Sequence, residues 1–153
     1  MTQLTRDWIA KAEGDFQVAV SLLRPRKFPN HDAVCFHAQQ CAEKYMKAVL
    51  QDANITFAKT HVLTDLLTQL AAVNPMWEAL RDAATLLSTH AVKFRYPGEF
   101  ADRVMARDAV AASRFIRTPL RAHLGIVDDR KRVVAKRAAI RKKGGTRKRR
   151  RSG

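Results

Sequence analysis

The chain has 153 residues, 46% hydrophobic and 28% charged, with a formal net charge of +15, which is room for one domain with a proper core and an appendage. Two cysteines exclude a disulfide framework, and no apolar run approaches the ~20 residues that span a bilayer. The N-terminus MTQLTRDWIAKAEGD carries acids and bases where a signal peptide needs an apolar stretch, so a reducing, cytoplasmic setting without a membrane partner is expected.

A first amphipathic helix is predicted from about Thr5 to Leu23, with Trp8, Ala12, Phe16, Ala19 and Leu23 on one stripe. RPRKFPN ends it, because Pro25 and Pro29 remove backbone donors, and Asn30 can cap the next helix. That second helix runs from about Asn30 to Ala53. At 100° per residue it places Val34, Ala38, Cys41, Ala42, Tyr45, Ala48 and Val49 in one arc of about 140°. His37, Gln40, Lys44 and Lys47 form a polar stripe elsewhere, expected to be solvated, with Glu43 four residues before Lys47 as a helical ion pair. Cys35 and Cys41 are about 240° apart on such a helix, too far round to bridge. The pairs His31/Cys35 and His37/Cys41 have ligand spacing, yet no third cysteine or histidine cluster completes a site, so neither a metal nor another cofactor is expected.

NITFAKT reads as a loop. A third helix is predicted from about His61 to Val73, with Leu63, Leu66, Leu67 and Leu70 inward and His61 as a cap or packing residue. Asn74-Pro75 interrupts the pattern. A fourth runs from near Pro75 to Thr89 with Trp77, Leu80, Ala84 and Leu87 inward. KFRYPGEFAD follows as a loop turning on Pro97-Gly98. A last long helix from about Asp102 carries Val104, Ala109, Ala112, Ser113, Ile116 and Leu120 on its inner face. No segment alternates with period two. The predicted fold is all-α, an up-and-down four-helix bundle over residues 1–126, the third helix being countable as two pieces.

The charge sits beyond that body. From Arg130 onward there are 13 Lys/Arg and no acid; removing those 13 from the 29 bases leaves 16 against 14 acids, a net of +2. The basic tail, residues 127–153, buries little and repels itself, so disorder and nonspecific, salt-sensitive attraction to nucleic acid are expected of it.

Taken in order, AKAEGDFQVAVSLL, HDAVCFHAQQCAEKYMKAVL, KTHVLTDLLTQL and an RYP loop resemble the HEPN superfamily of small four-helix domains. The most specific part is FHAQQCAEKYMKAVL followed by the Thr-His-x-Leu start of the next helix, Phe36 to Leu63. A looser match extends over 1–126. The resemblance implies a homodimer and one of two activities. Many such domains are metal-independent ribonucleases, often toxins, in which an arginine and a histidine with four to six residues between them stabilise phosphate charge and move the ribose 2′-hydroxyl proton. Others, including those with an RYP loop, look like partners of minimal nucleotidyltransferases in two-component, toxin–antitoxin systems.

The motif does not follow Arg95, where YPGEFADRV lacks histidine. Arg117 and His123 match the spacing, but Pro119 lies between them, and on a regular helix they face about 240° apart unless the proline breaks it. His90 and Arg95 flank the RYP loop in reverse order. If the helix ends near Thr89, both can project toward one cleft; otherwise they are a capping histidine and a surface arginine. Lys93, Arg95 and Tyr96 offer a cation, a planar phosphate fork and a stacking ring, suited to a nucleotide or single-stranded RNA, with Gln40, Lys44 and Lys47 as further candidates. Alternatively Phe94 and Tyr96 close the bundle end. The expected function is the nucleotide- or RNA-binding member of a two-component system with a nucleotidyltransferase, lacking a complete ribonuclease motif. The alternatives are a ribonuclease toxin, and a helical assembly protein whose tail alone meets nucleic acid.

Overall fold

Side-chain caps set where the long helices begin. In the computed structural model, which describes residues 1–126, the Thr5 N–H donates to Thr2 Oγ1 at 3.1 Å and opens α1, Gln3–Leu23. Asn30 Oδ1 accepts from Ala33 at 3.0 Å at the head of α2, His31–Asp52. Asp102 Oδ1 accepts from Met105 at 2.8 Å at the head of α5, Arg103–His123. These bonds satisfy donors that a helix start otherwise leaves to water. Between α2 and α5 lie α3, Leu63–Leu70, a 3₁₀ segment Pro75–Leu80 capped by Asn74, and α4, Arg81–Lys93. The described residues contain no strand. The basic tail lies outside them.

The ends are equally local. α2 stops on Asn54, at φ +55°, with the Ile55 N–H returning to the Leu50 carbonyl at 2.9 Å. α5 stops on Gly125, at φ +69°, with Ile126 returning to Arg121 at 2.9 Å. A left-handed residue closes the last turn in each case.

α2 is the centre of the bundle, packed by α1, α3, α4 and α5. Thirteen of its 22 residues are buried, so it is wrapped rather than two-faced, and the expected arc was too narrow: Cys35, Met46 and Leu50 are buried beside Val34, Tyr45 and Val49. Both cysteines are free and buried. Burial pushes the Cys35 thiol up to about 11 and the Cys41 thiol up to about 12, so neither is a reactive thiolate at neutral pH. Leu63, Leu66, Leu67 and Leu70 of α3 are all buried, as are Trp77, Leu80, Ala84 and Leu87. On α5 the predicted inner face holds except at Val104, which is 63% exposed. No helix among the described residues is long and apolar enough to cross a membrane.

Candidate functional site

The RYP loop starts later than its sequence suggests. α4 continues past Thr89 to Lys93, so His90 sits on the last helical turn instead of in the loop. Its ring lies 5.5 Å from that of Phe94, and its buried Nδ1 has no hydrogen-bond partner among the described residues. Burial is the chief cause of a lowered imidazole pKa. His90 and Arg95 therefore do not share a loop cleft.

Residues 94–102 are held at several points. Phe94 packs against the core. The Glu99 N–H donates to the Tyr96 carbonyl at 3.3 Å around Gly98, whose φ of +91° suits glycine. The Ala101 N–H donates to Asp32 Oδ1 at 2.6 Å. Arg95 and Tyr96 stand outward, Tyr96 66% exposed. Lys93 reaches Glu99 at 3.8 Å, both groups about half exposed. The two expectations for this loop thus divide: Phe94 closes the bundle end, while Arg95 and Tyr96 face solvent.

The polar stripe of α2 is only partly solvated. Its His37, Lys44 and Lys47 meet α1, where sequence periodicity on α2 alone gave no sign of a charged counterpart. His37 Nδ1 bonds Asp15 Oδ1 at 2.8 Å, and Lys44 pairs with the other oxygen of Asp15. Lys47, 7% exposed, bonds Glu43 Oε1 at 2.8 Å and lies 5.6 Å from the Trp8 ring. Gln40 donates to Gln39 Oε1 at 2.8 Å and to Glu43 Oε2 at 3.2 Å. His61, in the loop before α3, reaches both oxygens of Glu43 at 3.1 Å. Burial would raise the Glu43 carboxyl, but hydrogen bonds from Lys47, Gln39 and His61 hold it below the ordinary range. Gln40, Lys44 and Lys47 are thereby each held by partners within the chain, Lys47 alone being buried.

Proline does not break α5, which runs through Pro119 to His123. Arg117 turns toward α1, donating from Nε and Nη2 to Glu13 at 2.8 and 2.7 Å and stacking 4.4 Å from the Phe16 ring. His123 turns the other way, edge-on to Trp77 with centroids 5.0 Å apart. Within the chain the pair does not converge. Glu13, Tyr45 and Arg121, absent from the sequence-based candidates, complete the Arg117 cluster. Arg121 Nη1 donates to Glu13 at 2.7 Å and to the Tyr45 hydroxyl at 3.2 Å, and that hydroxyl donates to Glu13. The acids at 13 and 15 on the first helix were the available signal.

The profile of the HEPN domain matches residues 5–123. Among solved structures, the protein TT1696 from Thermus thermophilus is similar at 23% identity and a TM-score of 0.67, covering 79% of this chain and 98% of that one. ST0689, an archaeal HEPN homologue, is similar at 24% identity and a TM-score of 0.64, covering 80% and 98%. No curated protein matches.

Proposed function

The chain belongs to the HEPN domain family, and from that premise we propose that it is the nucleotide- or RNA-binding member of a cytoplasmic two-component, toxin–antitoxin system with a minimal nucleotidyltransferase. It acts as a homodimer and without ribonuclease chemistry. The observation that carries the binding role is the RYP loop: Arg95 and Tyr96 stand outward on a backbone fixed through Asp32 and Phe94, a fork for phosphate beside a ring for a base. The contacts of α5 weigh against cutting, because Arg117 is spent on Glu13 and His123 lies against Trp77.

The test has two arms. Titration with ATP and with a short RNA should show binding that Arg95→Ala and Tyr96→Ala each weaken about fivefold or more, with the RNA left intact. Affinity purification from cells carrying the neighbouring genes should bring down a short chain with the Gly-Ser and Asp-x-Asp signature of nucleotidyltransferases. RNA cleavage without metal, abolished by Arg117→Ala and by His123→Ala, would overturn the proposal in favour of a ribonuclease.

A further inference from the structure

Two loops far apart in sequence meet at one end of the bundle. The Ala101 N–H donates to Asp32 at 2.6 Å, and Arg103 Nη1 reaches the Leu23 carbonyl at 3.4 Å. These bonds tie loop 94–102 and the start of α5 to the two helix ends that border loop 24–30. Loop 24–30 breaks the helix between α1 and α2, and its composition resembles that of loop 94–102. RPRKFPN holds three cations, an aromatic ring and two prolines; the second loop has Arg95, Tyr96, Pro97 and Phe100.

The exposed rings concentrate here. Among the described residues the four most exposed large hydrophobic side chains are Phe28 and Met76, each 79%, Phe100, 76%, and Tyr96, 66%. Three of the four are aromatic and lie on these two loops. Large apolar rings left in water add nothing to folding, and on two loops anchored to adjoining helix ends they offer flat faces to a ligand. The free cations come chiefly from loop 24–30, which carries three and no acid, while loop 94–102 sets Arg95 beside Glu99 and Asp102. Asp32 accepts from the Ala101 N–H and Asp102 from the Met105 N–H, and Glu99 lies 3.8 Å from Lys93. Arg24, Lys27 and Arg95 have no acidic partner among the described residues. Arg26 is anchored on the Ser21 carbonyl at 2.6 Å and Lys27 lies 5.4 Å from the Phe28 ring. Between α1 and α5 a groove of about 480 Å³, lined by Val20, Leu23, Val104, Arg107, Asp108 and Arg114 among others, opens beside this end. Prolines at 25, 29 and 97 limit the backbone freedom that binding must otherwise remove.

We infer that loops 24–30 and 94–102 form one surface for a single-stranded nucleic acid, with bases stacked on Phe28, Tyr96 and Phe100 and phosphates held by Arg24, Lys27 and Arg95. Interleaved rings and cations bind single strands because every base offers a π-face, whereas a duplex hides its bases. The inference rests on the binding role proposed for the RYP loop and adds the first loop as its other half.

The experiment is fluorescence anisotropy with the full chain and a labelled oligouridine of roughly twelve nucleotides, a length within the range such surfaces cover. Phe28→Ala and Phe100→Ala should each weaken binding about fivefold or more, the loss of one stacked base. Both positions are exposed, and the basic tail is the same in every variant, so the difference reports on the loops. A blunt RNA duplex of equal length should compete less well than the unlabelled single strand. An oligothymidine run in parallel tells whether ribose is read; tight, Phe28-dependent binding of either strand supports the surface. Loss of binding in Tyr96→Ala with none in Phe28→Ala would confine the site to the second loop, overturning this inference while leaving the proposed function standing. No loss in either would sink both. Equal competition by duplex, or Phe28-dependent binding to phosphatidylserine vesicles with strand binding unchanged, would also overturn it.

Discussion

Arg117 grips Glu13 with two parallel hydrogen bonds, at 2.8 and 2.7 Å, across 104 residues of sequence. The pair fastens α5 to α1, and Arg121 adds a third contact to the same carboxylate at 2.7 Å. Glu13 is 24% exposed and the two arginines 19% and 16%, so the cluster is only partly open to water. Glu13→Gln should therefore lower the unfolding free energy by about 1–3 kcal/mol, more than an exposed ion pair is worth. Urea denaturation measures it.

The same carboxylate gives a pH signature. Burial pushes it up, but hydrogen bonds from Arg117 and Tyr45 and the charges of Arg117 and Arg121 outweigh burial and hold it below the ordinary range. A carboxyl lowered on folding contributes stability that is fully present above its unfolded value and is lost as pH falls through the folded value. The gap between wild type and Glu13→Gln should be full at pH 7 and shrink as pH drops below about 4.5, the ordinary glutamate value. A gap constant down to pH 3 would contradict this.

Arg117 and His123 should behave as unrelated residues. Arg117→Ala leaves Glu13 with fewer partners and uncovers Phe16, so a loss of about 1–3 kcal/mol is expected. His123 is exposed, with one edge contact to Trp77, and His123→Ala should stay within about 0.5 kcal/mol. Matched denaturation curves of the two variants separate them.

Asp32 is expected to control the shape of the RYP loop. Removing its carboxylate in Asp32→Ala leaves the part-buried Ala101 N–H without its 2.6 Å acceptor, a local cost of about 1–2 kcal/mol. Amide exchange at Ala101 should accelerate roughly tenfold, with core amides of α2 unchanged.

His90 supplies the opposite titration. Burial, helped by Lys93 and opposed by Asp108 and Asp102, lowers its imidazole pKa. A histidine lowered on folding gives stability that is present above its unfolded value, about 6.5, and lost as pH falls through the folded value, because the unfolded chain takes the proton first. His90→Leu also removes an unpartnered Nδ1, so the difference in Tm between pH 7.5 and about pH 5.5 should narrow in the variant. Thermal scans at the two pH values are sufficient.

Helix existence and the inner faces of α3, the 3₁₀ segment and α4 were legible, since Leu63, Leu66, Leu67, Leu70 and Trp77, Leu80, Ala84, Leu87 repeat at helical spacing and are buried. The resemblance over Phe36 to Leu63 agrees with the family assignment. Boundaries were less so. Thr89 is a poor helix former, but tertiary packing of Ala91 carries α4 four residues further. The first turns of the predicted fourth helix became 3₁₀ after Asn74-Pro75. The wet stripe of α2 was misplaced for a different reason: period alone cannot tell water from a neighbouring helix that brings its own acids. Glu13 and Asp15 meet Tyr45, Lys44 and His37 only through the α1–α2 crossing, and pairings between helices are invisible to a count along one of them.

Along that seam Glu13 and Asp15 pair with Lys44, Arg117 and Arg121, so the first helix sets acids against cations that α2 and α5 supply. Should α1 peel away, even transiently, the remaining bundle would present a bare cationic trough beside exposed core.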